Sequence, residues 1–204
     1  MITLHHLNKS RSKRIIWLLE ELGMEYEVKP YLRDSVTFLA PPELKAIHPL
    51  GKSPVIEDNG IVIAESGAIT EYLIQTYGAH LAPKSGTAAY IEYLQWLHFA
   101  ESSAILPLLL KMFVAKDGAK TNFLEGYADG EAEKVIGYFE QRLEGKTYLV
   151  EERLTGADIM MSFITEILQN NGMIEHYPNI QRYQAQLATH DKFGKADQVE
   201  QQFD

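Results

Sequence analysis

The stretch from His48 to Ile69 gives this chain the means to hold a peptide-like anion. His48-Pro49-Leu50-Gly51-Lys52-Ser53-Pro54 leads into the apolar pair Val55-Ile56. A proline at the head of a strand cannot donate a ladder hydrogen bond, so the backbone beside Pro54 is kept for another partner, such as an extended ligand. Asp58-Asn59-Gly60, between Val55-Ile56 and Ile61-Val62-Ile63, predicts a tight hairpin, because Asn and Gly accept the positive φ that such a turn demands. Ser66 then reads as the N-cap of a helix whose first amides offer a site for a carboxylate.

The elements around this stretch follow from periodicity. Ile2-Thr3-Leu4 begins a strand, and Asn8-Lys9-Ser10-Arg11-Ser12 turns into a helix with Ile15, Leu18, Leu19 and Leu22 on one face and Gly23 just past its end. Tyr26, Val28, Pro30 and Leu32 alternate as in a strand, and Pro30 marks it as an edge. Pro41-Pro42 opens a short helical turn, and the helix from Ser66 stops near Gly78. The order is β-α-β-α-β-β-α. Residues 79–86, with Pro83, Ser85 and Gly86, read as a linker, and everything beyond reads as helix. One long segment, 88–115, contains Pro107, which predicts a kink. Thr155-Gly156-Ala157-Asp158 resembles a capping box with Asp in place of Glu or Gln. Pro178 starts a further helix, and the tail after Lys192 is polar enough to fray.

Composition bounds the function. The 204 residues are 46% hydrophobic and 23% charged, as in an ordinary globular protein. A net charge of −9 argues against a nucleic-acid partner, which needs a concentrated basic surface. No apolar run looks long enough to span a bilayer, and the N-terminus enters the polar His5-His6 segment without a signal-peptide core, so a cytoplasmic location is expected. Cysteine is absent, which removes disulfide and thiol chemistry of the chain's own. His5, His6 and His98 form no metal pattern, and no nucleotide loop occurs, so neither metal nor resident cofactor is expected.

Pro49-Leu50-Gly51-Lys52-Ser53-Pro54, the hairpin and Glu65-Ser66 together resemble, in order and spacing, the cytosolic glutathione transferase superfamily of bacterial and fungal type. The resemblance extends over essentially the whole chain. It implies an α/β thioredoxin-like domain over 1–78, the linker 79–86 and an all-α domain over 87–204. It further implies a homodimeric detoxification enzyme that binds glutathione as co-substrate and conjugates it to hydrophobic electrophilic small molecules. By the same resemblance, Ser53 and Pro54 meet the cysteinyl part of glutathione and Glu65 and Ser66 its γ-glutamyl end. Lys52, with His48, faces the glycyl carboxylate, and Glu101 reaches the γ-glutamyl amine. Family members activate the thiol with a Tyr, Ser or Cys near the first strand-to-helix turn. This chain has no cysteine and no tyrosine before Tyr26, so Ser10, with Ser12 second, is assigned the catalytic role.

Each assignment has a plainer counterpart. Ser10 and Ser12 also suit a helix cap. Lys52 and Glu101 suit a solvated surface, His48 a bond to its own backbone, and Glu65 a helix start. Tyr90, Tyr93, Trp96, Phe99 and Tyr127 suit either an apolar second-substrate wall or core packing. Two other functions share the pattern: a non-catalytic ligand-binding or protein-interaction module, and a glutathione-dependent hydroperoxide reductase.

Overall fold

A computed structural model describes residues 1–118 and 120–203, which form two compact units. The first contains Met1–Ala82 and the segment from Leu187 onward; the second is Pro83–Gln186. In the first, β1 (Ile2–Leu7), α1 (Ser12–Glu21), β2 (Tyr26–Tyr31), α2 (Leu44–Ile47), β3 (Val55–Asp58), β4 (Ile61–Ala64) and α3 (Ser66–Tyr77) follow one another. The sheet order is β2-β1-β3-β4, with β1 and β2 parallel and the other pairs antiparallel. This is the thioredoxin-like arrangement. β2 lies at the edge, where Pro30 costs no ladder bond. The hairpin forms as expected, with Asn59 at φ 49° and Gly60 at φ 80°. It is fastened to α3 by Asp58, which accepts from Tyr72 Oη at 2.8 Å and Tyr77 Oη at 2.5 Å. Gly78 ends α3 where a Cβ would come within 2.0 Å of Leu22 Cδ2, so a side chain there would require Leu22 to move.

The second unit contains α4 (Ala88–Glu101), α5 (Ile105–Asp117), α6 (Leu124–Arg142), α7 (Gly156–Asn170) and α8 (Pro178–Leu187). The expected kink is a full break. A proline ring clashes with the carbonyl four residues earlier, which for Pro107 is that of Ser103, so the helix stops at Glu101 and restarts at Ile105. By length and composition alone 88–117 would cross a membrane, contrary to the expectation of no such run. The break and the packing of α4 on α7 and of α5 on α6 make these the helices of a folded core. α7 is the centre of this unit, with Ala157, Ile159, Met160, Met161, Ile164 and Leu168 buried. Its start is the capping box: Thr155 N donates to Asp158 Oδ2 at 2.8 Å, and Thr155 Oγ1 accepts from Ala157 N at 3.3 Å.

The polar tail does not fray. It forms α9 (Asp191–Gln201), which packs on α1 and so belongs with the first unit rather than with the helical one. Phe193 meets Trp17 edge to face at 4.9 Å, Lys13 pairs with Asp197 at 2.5 Å, and Lys195 pairs with Glu20 at 2.6 Å. Only Phe193 and Ala196 are apolar and buried on α9, too sparse a stripe to read from sequence. This covering also explains why α1 is buried almost all round, with Ile15, Ile16, Leu18 and Leu19 inaccessible and Trp17 nearly so.

Candidate functional site

The site is organised around Leu7, the last residue of β1. Its amide donates to Ser53 Oγ at 3.1 Å, and Ser53 Oγ donates to the His5 carbonyl at 2.8 Å. Its carbonyl accepts from Ser12 Oγ at 3.2 Å. The cis Ser53-Pro54 bond and the start of α1 are therefore held at one strand end. Ser53 Oγ is occupied by these internal bonds.

Ser10 and Ser12 form a pair. Their hydroxyls are 2.8 Å apart, and Ser10 Oγ also accepts from Ser12 N at 3.2 Å. Ser12 has no exposure and touches His6 Nδ1 at 2.7 Å as well as Leu7; Ser10 retains 7%. Of the two residues only Ser10 keeps any exposure. The helix cap itself falls on Arg11, which makes no side-chain cap bond.

The second half of the site is the start of α3. Glu65, not Ser66, is the N-cap residue, at φ 70° and ψ 116°, and Ser66 is the first helical residue. The bend at Glu65 turns the chain out of β4 and leaves Ser66 buried, where its Oγ accepts from Arg14 Nη2 at 2.8 Å. Arg14 is 2% exposed. Burial pulls the Arg11 guanidinium below its usual range, and the Glu65 carboxylate opposes that shift. Arg14 of α1 and Arg11 at its N-cap thus face Ser66 and Glu65 at the start of α3. Sequence reasoning missed both. The available signal was Arg14 standing four residues before Leu18, on the face that must be buried.

A model of the "Glutathione S-transferase, N-terminal domain" matches residues 1–75, and one of the "Glutathione S-transferase, C-terminal domain" matches 103–191. Glutathione S-transferase 3 of Schizosaccharomyces pombe is 35% identical over 202 residues, spanning 90% of this chain and 81% of the relative. The chain belongs to the cytosolic glutathione transferase superfamily. A glutathione S-transferase of Actinobacillus pleuropneumoniae, known by crystal structure, is 40% identical and superimposes with a TM-score of 0.90 over 98% of this chain and 93% of that one. A glutathione transferase homolog from Lodderomyces elongisporus, solved with two GSH per subunit, is 25% identical with a TM-score of 0.83 over 97% and 98%.

The first unit brings Ser10, Ser12, Ser53 and Pro54 together at the end of β1, and Glu65 and Ser66 at the start of α3. Lys52 is exposed on the loop before Pro54. His48 Nδ1 accepts from the amide of Leu50, two residues on, at 3.4 Å. Glu101 is the last residue of α4, in the helical unit. Two of the five candidate aromatics are core residues. Tyr93 and Trp96 are buried at 2% and 3%, and Trp96 packs against Phe99, Tyr138 and Phe139 within 6 Å, so these rings fill core instead. Tyr127 stacks on Phe123 at 5.4 Å. An open cleft of about 550 Å³ lies elsewhere in that unit, between the end of α5 and the start of α6, lined by Leu110, Phe113, Val114 and Leu124 together with Lys116, Asp117 and Thr121. Among the described residues no group of three or more His, Asp or Glu side chains could hold a metal ion.

Proposed function

We propose that this chain is a serine-type glutathione transferase that binds glutathione along its first unit and conjugates it to electrophilic small molecules. In this reading the γ-glutamyl carboxylate sits on the α3 amides at Glu65-Ser66, backed by Arg14. The cysteinyl backbone lies beside Ser53-Pro54, and Lys52 meets the glycyl carboxylate. The observation that carries it is the double use of Leu7, which ties Ser53 and Ser12 to one strand end and so brings the peptide-binding loop beside the Ser10 hydroxyl.

The chemistry asks little of the protein. A free thiol titrates near about 8.5, and each unit of depression corresponds to about 1.4 kcal/mol of preference for the thiolate. One hydrogen bond from Ser10 is worth about 1 kcal/mol, more when its acceptor is charged. The thiolate then attacks the electrophilic carbon, the carbon–sulfur bond forming as the leaving group departs. The same reading takes the working form to be a cytoplasmic homodimer.

Calorimetry with glutathione, joined to turnover assays with an aryl halide and an organic hydroperoxide, tests the proposal. Wild type should bind glutathione and turn over the halide. Lys52→Ala should bind about ten- to a hundredfold more weakly, the loss of one charge-assisted contact. No glutathione binding by wild type overturns the reading. Binding without turnover makes the chain a binding protein, and turnover of the hydroperoxide alone makes it a reductase.

A further inference from the structure

We propose that the loop leaving β2, residues 32–39, is an apolar rest for the electrophile, and that Leu32, Phe38 and Leu39 set how large an uncharged, apolar body the enzyme favours. The inference rests on the glutathione reading above and names the substrate class of that same site.

Topology puts this loop beside the Ser10 turn. β1 and β2 are parallel neighbours with Leu7 opposite Tyr31, so the turn that carries Ser10 and the loop that begins at Leu32 leave the sheet at the same end, about 5 Å apart. Ligands of open α/β sheets gather outside the carboxyl ends of the strands. Asn8 ties the two segments together: its amide donates to the Tyr31 carbonyl at 3.1 Å, and its Oδ1 accepts from Arg33 N at 2.8 Å. Only Lys9 stands between Asn8 and Ser10.

The loop is built by its own polar groups. Asp34 Oδ1 accepts from Val36 N at 3.1 Å, Thr37 N at 2.6 Å and Thr37 Oγ1 at 2.8 Å, and Arg33 Nη1 donates to the Phe38 carbonyl at 2.8 Å. Phe38 N donates to the Asp34 carbonyl at 2.9 Å, and Asp34 N to the Leu39 carbonyl at 3.0 Å. Arg33, Asp34 and Thr37 are thereby used inside the loop, while Leu32, Val36, Phe38 and Leu39 stay 53% to 82% exposed. Four large apolar side chains in eight surface residues form a patch of the kind that marks a binding surface. Phe38 stands at φ 61°, in the left-handed region that favours glycine and is uncommon for an aromatic residue. Backbone held in such a region clusters at functional sites. Because both charged side chains of the loop are committed to its own bonds, what it offers a substrate is apolar surface. An alkyl or aryl body matches that surface and a charged one does not.

The test is turnover of the full chain with glutathione and n-alkyl iodides from ethyl to hexyl, with the spontaneous rate subtracted and glutathione affinity measured in parallel. The sulfur displaces iodide, the carbon–sulfur bond forming as iodide leaves with the bonding pair, so reactivity stays nearly constant while the apolar body grows. Wild-type kcat/KM should rise about two- to fourfold per methylene, the worth of a methylene taken out of water. Leu39→Ser and Phe38→Gly should each lower kcat/KM for hexyl iodide about three- to tenfold, with ethyl iodide turnover and the glutathione dissociation constant within about twofold of wild type. Glycine accepts φ 61°, so Phe38→Gly removes the ring and keeps the turn. A wild-type hexyl-to-ethyl ratio in both variants overturns the proposal and leaves the transferase reading standing. So does a flat series in wild type, a lack of turnover with every iodide, or a loss that is equal for both iodides. A variant that keeps the ratio but sediments as a smaller species makes the loop an interface between copies of the chain, which overturns the proposal as well. Absent glutathione binding by wild type removes the reading itself, and the proposal with it.

Discussion

Asp158 offers the sharpest test of the helical unit. Its carboxylate is completely buried and accepts four donors: Oδ1 takes Leu149 N at 3.0 Å and Tyr183 Oη at 2.8 Å, and Oδ2 takes Thr155 N at 2.8 Å and Thr155 Oγ1 at 3.0 Å. A helix cap alone would be worth about 0.5–2 kcal/mol. Asp158→Ala does more, because the Leu149 and Thr155 amides cannot turn away and each orphaned buried donor costs about 1–3 kcal/mol. The two hydroxyls can rotate, and Tyr183 then leaves a third polar group in the core. Burial pushes the Asp158 carboxyl up against these hydrogen bonds, so removing it also recovers some desolvation. The balance is a loss of about 3 kcal/mol or more, a large part of a typical folding free energy of about 5–15 kcal/mol. At a urea slope of about 2–3 kcal/mol per molar the midpoint should fall by about 1–1.5 M. Thr155→Ala should fall by about half of that or less. Asp158→Asn should lie between, since its amide nitrogen faces donors on one side. Equal midpoints for Asp158→Ala and Thr155→Ala would refute the reasoning, because the loss would then be the cap and nothing more.

Tyr77 predicts a specific alkaline weakness. Its hydrogen bond to Asp58 pushes its pKa up to about 12. The unfolded phenol titrates near about 10, so the stabilisation is complete below that pH and is lost as pH rises through the folded value. Urea midpoints should decline over that window in wild type and less in Tyr77→Phe; parallel curves would reject the link. Phe193→Ala should cost about 3 kcal/mol by stripping the Trp17 contact from the α1–α9 interface. A urea midpoint lowered by less than about 0.3 M would show that α9 contributes little to this unit.

What the sequence determined by itself is what a few neighbouring residues decide. Asn59-Gly60 makes its turn because those two residues accept positive φ, wherever the rest of the chain goes. Pro107 stops a helix because its ring meets a carbonyl four residues back, and Thr155 with Asp158 closes a cap within one turn. Lys52-Ser53-Pro54 and Glu65-Ser66 were legible in the same way, as short motifs whose spacing pointed to a family. Tertiary structure decided which of these groups are free to act. Ser53 loses its hydroxyl to Leu7 and His5, across 46 and 48 residues, and Ser66 receives Arg14 across 52. Ser12 is the more deeply committed of two serines that look alike in sequence, because His6 and Leu7 take its hydroxyl. Glu200 comes beside His6 only because α9 returns to α1. Backbone preferences are local and can be read from residue types. The direction of a hydroxyl proton and the placing of a buried charge depend on partners that only folding brings within 3–4 Å.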